Sequence, residues 1–275
     1  MAYKNFIPTI WSEAINRELE RARVFVADTN RQYEGDVRKM GDTVRILGVG
    51  KPTITTQTGT EVTLTGAENI ADSATSLLIN KVSYFNYKVD DIDKRQAVGG
   101  IMEALSKEAS EGLAQAMDCA VADLALADEA VLDGAGTTIT ANNVIETIDA
   151  GLEKLYENDV KPDGNITLTV PPWFYTILKE KYITLDTDNS NMLANGKVGR
   201  YGNVLIRMSN NVPKDGSDYY YLQLKTNKAI AFANPMTHVE AYRPELGFSD
   251  AVKGFVLYGT KIVRPKEMIV LKVKK

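Results

Sequence analysis

Cysteine and histidine are almost absent from this chain of 275 residues, which contains one of each, Cys119 and His238. A single cysteine excludes a framework of intramolecular disulfides. A structural zinc site needs about four clustered ligands, and these two residues share no ligand spacing. The sequence also has no G-x-S-x-G element for a nucleophilic serine. We therefore predict no catalytic, cofactor-binding or metal-binding residue, and we predict that the chain is not an enzyme.

Long apolar runs and an excess of positive charge are also missing. No run of about 18 apolar residues occurs, so the sequence predicts no membrane span, and the first residues lack the apolar core of a secretory signal. The formal net charge is -4, whereas a protein that grips nucleic acid normally shows a basic patch or stripe. We expect a protein of a cytosol-like compartment, or of a particle assembled there.

Residues 41–89 form a stretch that has too few large apolar side chains to bury itself. The stretch is rich in Thr, Val and Ile, as strands are. Its alternating runs are Thr43–Leu47, Thr53–Thr56, Val62–Thr65 and Leu77–Val82. A two-stranded arm of this kind is marginal alone in water. The pattern therefore predicts a projecting hairpin that finds its missing contacts on neighbouring subunits.

Two helical patterns flank this hairpin. In the first, Trp11, Ile15 and Leu19 recur at helical spacing and form an apolar stripe. The second is a helix of about ten turns over Asp91–Asp128. It is predicted to end before a turn at Asp133-Gly134-Ala135-Gly136.

Helices and strands alternate in the second half of the chain, which predicts an α+β fold with a compact central α/β portion. Val144, Ile148, Leu152 and Leu155 share one face of a helix that Asn142 or Asn143 caps. A second helix is predicted over Trp173–Tyr182. The predicted strands are Ile166–Val170, Val204–Met208, Tyr219–Leu224, Ala229–Phe232, Val239–Arg243, Gly254–Val263 and Met268–Val273. No basic residues are interleaved with Tyr219–Tyr221, so we interpret these tyrosines as core and interface residues.

Charge is unevenly distributed along the sequence. Between Met117 and Val160 there are ten Asp or Glu and only Lys154, whereas Ala251–Lys275 holds seven Lys or Arg and only Glu267. Such blocks are either solvated faces or complementary surfaces between copies. Under the second interpretation the basic contact residues are Lys261, Arg264 and Lys266.

The order of these parts resembles the major capsid protein of tailed bacteriophages, the Hong Kong 97-like fold. Two strings are similar to members from phages of Gram-positive hosts: IWSEAINRELERARVFVADTNRQYEGDVRKMGDTVRI and HVEAYRPELGFSDAVKGFVLYGTKIVRPKEMIVL. The resemblance covers essentially the whole chain. It implies an N-terminal arm (1–36), an extended β-hairpin loop (37–89), a spine helix (90–136), an axial α/β domain (137–235) and strands of a peripheral domain (236–275).

The resemblance also implies a function and partners. Many copies would form hexamers and pentamers, close into an icosahedral shell and enclose double-stranded DNA without sequence-specific binding. A separate scaffolding protein and a portal complex are expected as partners, a decoration protein is allowed, and no membrane is involved. The expected location is the virion, with assembly in the host cytoplasm. Inter-subunit contacts are expected at Trp11, Ile15, Leu19, Lys51, Ile54, Val62, Leu64, Lys261, Arg264 and Lys266.

Two alternatives stay open. An encapsulin, a protein nanocompartment of the same fold, would enclose enzymes in place of DNA. A hydrolase or transferase built on the central α/β portion is the rival from another class, although no polar constellation accompanies that portion.

Overall fold

The fold is described from a computed structural model, which describes residues 24–33, 41–49, 54, 56, 58, 72–90, 101–127, 131–163, 165–184, 199–244 and 249–275. Its strands are β1 (Thr43–Val49), β2 (Asp72–Leu78), β3 (Lys81–Asp90), β4 (Val131–Thr138), β5 (Ile166–Val170), β6 (Arg200–Tyr201), β7 (Val204–Met208), β8 (Tyr220–Thr226), β9 (Ile230–Tyr242), β10 (Ser249–Ile262) and β11 (Met268–Lys274). Its helices are α1 (Ile101–Ala122), α2 (Val144–Glu157) and α3 (Pro172–Thr184).

The largest sheet has six strands in the order β4-β11-β8-β5-β7-β6. The β4–β11 and β5–β7 pairs are parallel, and the other neighbours are antiparallel. Helix α2 packs on one face of this sheet, where a Cβ at Gly151 would come within 2.8 Å of Leu271 Cδ2. The predicted apolar face of α2 is confirmed, because its four members are all buried: Val144, Ile148, Leu152 and Leu155.

A second, antiparallel sheet has the order β3-β10-β9. Its face toward α1 carries Tyr87, whose hydroxyl lies 3.0 Å from Ser106 Oγ of that helix. Helix α1 buries Leu113, Met117 and Val121 in the same core as the six-stranded sheet. This shared core joins the two sheets through one helix.

The hairpin of β1 and β2 is antiparallel, with Thr43 opposite Leu78. Its base is buried: Ile46, Leu77 and Ile79 pack against residues of β9 and β10. A Cβ at Gly259 of β10 would clash with the carbonyl of Leu78, so only glycine allows this close approach. The prediction that the hairpin has little packing within its own chain is therefore wrong at its base.

Several sequence predictions need correction. The turn predicted at Asp133–Gly136 is part of β4, which pairs in parallel with β11. The pairing skips between Leu271 and Val273, so the glycines form an irregularity inside the strand, and Gly136 has a φ of 110°. The two strands predicted on either side of His238 are one strand, β9. Pairing with β11 overrides the local turn signal in β4, and pairing with the long strand β10 overrides it in β9.

The predicted long helix and hairpin differ from the described elements at their ends. Helix α1 is described over Ile101–Ala122, followed by one 3₁₀ turn at Asp123–Leu126. The sequence prediction also includes residues 91–100, which lie outside the described residues. Strand β3, which was assigned to the extended loop, pairs with β10, so the two-stranded part ends at Leu78. Strand β3 therefore belongs to the three-stranded sheet and not to the projecting hairpin.

Candidate functional site: surfaces for assembly

The predicted contact residues divide into three groups. Six of them lie outside the described residues: Trp11, Ile15, Leu19, Lys51, Val62 and Leu64. Ile54 is described and is 88% exposed, which is unusual for a large apolar side chain. The basic three lie together near the end of β10, where Lys261 is half-buried and Arg264 and Lys266 are exposed.

The predicted basic contacts are partly satisfied within the chain. Arg264 Nη1 lies 2.7 Å from Glu267 Oε1, and the Lys266 carbonyl accepts a hydrogen bond of 3.1 Å from Asn158. Because Glu267 neutralises Arg264 locally, this group offers less charge to a neighbour than the sequence suggests.

Sequence reasoning missed a buried cluster that we call the N-terminal anchor: Asp28, Asp118, Arg207, Gln223 and Lys225. The segment before β1 enters the core here, with Phe25 and Val26 each 1% exposed. Asp118 of α1 accepts hydrogen bonds from the N–H groups of Val24 (2.7 Å) and Val26 (3.1 Å). The chain direction at residue 24 is therefore fixed by main-chain hydrogen bonds to one buried carboxylate.

Asp28 ties the same segment to the six-stranded sheet. Arg207 of β7 contacts both carboxylate oxygens, with Nη2 at 2.8 Å from Oδ1 and Nε at 2.7 Å from Oδ2. Lys225 of β8 donates from Nζ to the Asp28 carbonyl oxygen. Next to these contacts, the main-chain N–H of Asn30 donates to the carbonyl oxygen of Ile230 at 2.8 Å. This hydrogen bond connects the segment to the first residue of β9.

The anchor is balanced in formal charge, with two carboxylates and two cations, and it is buried except at Arg207, whose side chain is 36% exposed. Burial lowers the pKa of Lys225 to about 8, although Asp28 opposes this shift. Burial also raises the pKa of Asp28, against the opposing effects of Arg207 and Lys225. Gln223 completes the site, because its Nε2 donates to the Val121 and Ala122 carbonyls at the end of α1, at 2.9 and 3.0 Å. These groups hold one segment in one position.

A second feature invisible in the sequence is the Lys–Tyr patch, formed by Tyr219, Tyr221, Lys272 and Lys274. β11 places Lys272 opposite Tyr221. Lys272 Nζ lies 4.8 Å from the Tyr219 ring and 5.6 Å from the Tyr221 ring, and Lys274 Nζ lies 5.5 Å from the Tyr219 ring. The sequence interleaves no basic residues with these tyrosines, and it could not reveal their basic neighbours, because the lysines come from a strand about 50 residues away.

A groove of 380 Å³ lies between the edge strand β3 and α1. Four consecutive residues of β3, from Val82 to Phe85, line one side, and Ala109, Gly112, Leu113 and Ala116 of α1 line the other. A Cβ at Gly112 would meet no atom within 4 Å. Another recess of 490 Å³ lies on the outer face of the same sheet, beside Tyr84, His238 and Phe255. Both are open surface depressions that are lined by Tyr84, which is 79% exposed.

The residues of conventional sites are dispersed. His238 lies exposed on β9, with its ring 5.7 Å from that of Phe255. Cys119 is half-buried, and burial raises the pKa of its thiol. Within the described ranges, no three His, Cys, Asp or Glu side chains are grouped so that they could hold a metal ion. None of the described helices combines the length and the apolar character needed to cross a membrane.

Comparison of the sequence with protein-family models and with curated proteins finds no match. Solved structures do match. The chain is similar to a structure from Mycobacterium phage Che8, with 27% identity over 90% of each chain and a TM-score of 0.77. The capsid structure of cyanophage P-SCSP1u matches with 15% identity over 87% of this chain and 85% of that chain, with a TM-score of 0.70.

A virus-like particle from Pyrococcus furiosus matches with 12% identity over 97% of this chain and 99% of that chain, with a TM-score of 0.63. The matches extend over nearly the full length of both partners, so the parts of the fold occur together and in the same order. The chain therefore has the Hong Kong 97-like fold of phage capsid proteins, as the resemblance of its sequence predicted.

Proposed function

We propose that this chain is the major capsid protein of a tailed phage, which assembles as hexamers and pentamers into an icosahedral shell around double-stranded DNA. The observation that carries the proposal is the whole-chain similarity to the Mycobacterium phage Che8 structure at 27% identity. It is a structural role, and the proposal assigns no catalytic residue. The acidic balance of the chain suits a container that must let DNA slide, because phosphate binding needs clustered cations.

Each segment of the subunit would correspond to one part of the capsid fold. We assign residues 1–36 to the N-terminal arm, 37–89 to the extended loop, 137–235 to the axial domain, and 90–136 with 236–275 to the peripheral domain. Strand pairing crosses these bounds: β3 at the end of the loop pairs with β10, and β4 and β11 belong to the six-stranded sheet with β8. The N-terminal anchor supports the first assignment, because it fixes Val24 and Val26 against α1 within this segment. The exposure of Ile54 beyond a buried hairpin base supports the second.

Neighbouring subunits would supply the contacts that exposed apolar groups lack. Trp11, Ile15 and Leu19 would contact one neighbour, and Lys51, Ile54, Val62 and Leu64 would contact another. Burying a side chain such as Ile54 contributes about 1.5 to 3 kcal/mol. A scaffolding protein and a portal complex would direct assembly in the host cytoplasm, and the finished shell would be part of the virion.

Electron microscopy of the full chain, produced with and without the product of a co-expressed scaffolding gene, tests the proposal. We expect closed icosahedral shells of uniform size in at least one of these conditions. A protein that stays monomeric, or forms only irregular aggregates, under both conditions would refute a shell role.

A nanocompartment that encloses enzymes is the second candidate, and the similarity to the Pyrococcus furiosus particle is its support. The support is weaker, because identity falls to 12% and the TM-score to 0.63. The contents of purified particles from the native source separate the two functions. Nuclease-resistant double-stranded DNA of genome length supports the phage capsid, whereas a stoichiometric enzyme cargo without DNA supports the nanocompartment.

A further inference from the structure

Helix α2 carries an acidic stripe, defined as Glu146, Asp149, Glu153 and Glu157. These residues are spaced by three, four and four positions, so they share one side of the helix. All four are exposed, and they lie opposite the buried face that contacts the sheet. Tyr201 donates from its hydroxyl to both oxygens of Asp149, at 2.8 and 3.0 Å. The outer side of α2 is therefore a row of carboxylates with one of them held in position.

The Lys–Tyr patch lies on the other face of the same sheet. Leu271 contacts α2, and successive residues of a strand point to opposite faces, so Lys272 and Lys274 point away from α2. The aromatic rings hold the two ammonium groups at defined positions. Asp215 Oδ2 lies 3.8 Å from Lys272 Nζ. Asp218, which pairs with Lys214 at 2.6 Å, also feels the charge of Lys274. Lys214, Lys272 and Lys274 still outnumber these two carboxylates, so the surface around the patch has a net positive charge.

Complementary surfaces on opposite faces of one sheet cannot neutralise each other within a chain. They can meet between copies, where the Lys–Tyr patch of one subunit contacts the acidic stripe of the next. Such a head-to-tail contact is heterologous, and repeated rotation closes it into a ring. On this basis we propose that the Lys–Tyr patch of one subunit docks on the acidic stripe of α2 in the adjacent subunit of the same ring. The inference rests on the proposed shell function and specifies one contact inside it.

The contact sets orientation more than it adds affinity. Each exposed ion pair contributes little binding free energy by itself. Complementary electrostatic potentials nevertheless raise the rate of association between subunits and disfavour incorrect orientations. The ring of copies repeats the contact at each junction. The charges are partly exposed, so salt screens them over a Debye length of about 8 Å at physiological ionic strength.

A charge swap in the full chain tests the contact. Lys272→Glu with Lys274→Glu should slow shell formation by about tenfold at low salt. Light scattering measures the rate of formation, and electron microscopy counts the closed shells. Adding Glu153→Lys and Glu157→Lys to the same chain should restore formation, because the patch is then acidic and the stripe basic, and the two surfaces attract each other again. The control is Lys107→Glu with Lys179→Glu, two exposed lysines elsewhere, which changes net charge equally. The milder pair Lys272→Ala with Lys274→Ala serves if the reversal impairs folding, and it should slow formation less than the reversal does.

A second measurement needs no variant. Wild-type shells assembled from mixed isotope-labelled and unlabelled subunits are treated with a carbodiimide, which joins lysine amines to nearby carboxylates. Peptides that link Lys272 or Lys274 to the acidic stripe should carry both isotope labels in one product, because the two surfaces face apart within a chain.

The outcomes separate this inference from the shell function. Wild-type shells combined with an unaffected lysine reversal, or a swap that does not restore formation, overturn the contact alone. Equal slowing by the control shows a general effect of charge and also overturns it. Normal formation with reduced DNA content would instead assign the patch to nucleic acid. If the wild-type chain forms no shells at all, the proposed function fails together with the contact.

Discussion

The N-terminal anchor and the outer side of α2 use charge in opposite ways. In the anchor, Asp118 and Lys225 are each 1% exposed, and their partners lie within the same chain. On α2 the carboxylates of the acidic stripe are exposed to solvent. A buried charge is costly unless it is paired and hydrogen-bonded, so it holds one geometry. An exposed charge costs little and remains available to a neighbour. The anchor therefore stabilises the fold of the subunit, whereas the stripe belongs to the contact that we propose between subunits.

Removing one partner from the anchor should produce the largest effect. Asp28→Ala leaves Arg207 without its carboxylate partner and removes a nearby negative charge from the buried Lys225. We expect the free energy of unfolding to fall by about 3 to 5 kcal/mol. Denaturant unfolding of the isolated subunit measures this change. The matched control is Glu108→Ala on the exposed side of α1, which should stay within about 0.5 kcal/mol of wild type. Equal, small effects of both changes would show that the anchor does not stabilise the fold.

The hairpin offers the same contrast with apolar side chains in neighbouring positions. Leu77 is fully buried, whereas Leu78 is 45% exposed. Leu77→Ala should lower the free energy of unfolding by about 2 to 4 kcal/mol, because it opens a cavity between the hairpin base and β9–β10. Leu78→Ala should cost less than about 1 kcal/mol in the isolated subunit. Indistinguishable unfolding curves for the two variants would contradict the packing of the hairpin base.

The pH dependence of stability should report the buried lysine. The pKa of Lys225 is about 8 in the folded chain, against an ordinary value of 10.5. Between these values the unfolded chain keeps the proton that the folded chain has lost, so the contribution of Lys225 to stability rises with pH. From pH 7 to pH 9.5 the rise is about 2 kcal/mol. The difference in unfolding free energy between wild type and Lys225→Met, followed over this range, should show it; a difference that is constant with pH would place Lys225 in a wetter site.

Neutralising the acidic stripe should have the smallest effect on the subunit. Glu153→Gln with Glu157→Gln removes two exposed charges from α2, and the free energy of unfolding should change by less than about 0.5 kcal/mol. The measurement is thermal unfolding of the isolated subunit. A loss comparable with that of Asp28→Ala would mean that the stripe supports the fold, and the contrast with the anchor would disappear.

The elements that could be predicted from sequence are those whose pattern is local. The apolar face of α2 follows from helical spacing, and strands Ile166–Val170 and Val204–Met208 have the bounds that their alternating and β-branched runs predict. The hairpin and the long helix were also recognisable from composition and periodicity. The whole-chain order of these parts was enough to identify the fold, because it depends on lengths and not on any single motif.

The tertiary structure decided which distant segments meet. Asp28 and Arg207 are 179 residues apart, and Asp28 and Lys225 are 197 residues apart, so no local pattern could reveal the anchor. In the same way the glycines of β4 became part of a strand because β11 offered a partner, and Lys272 met Tyr221 only through the register of β11 on β8. Local sequence encodes period and burial, whereas strand pairing and buried charge pairs depend on how the complete core closes.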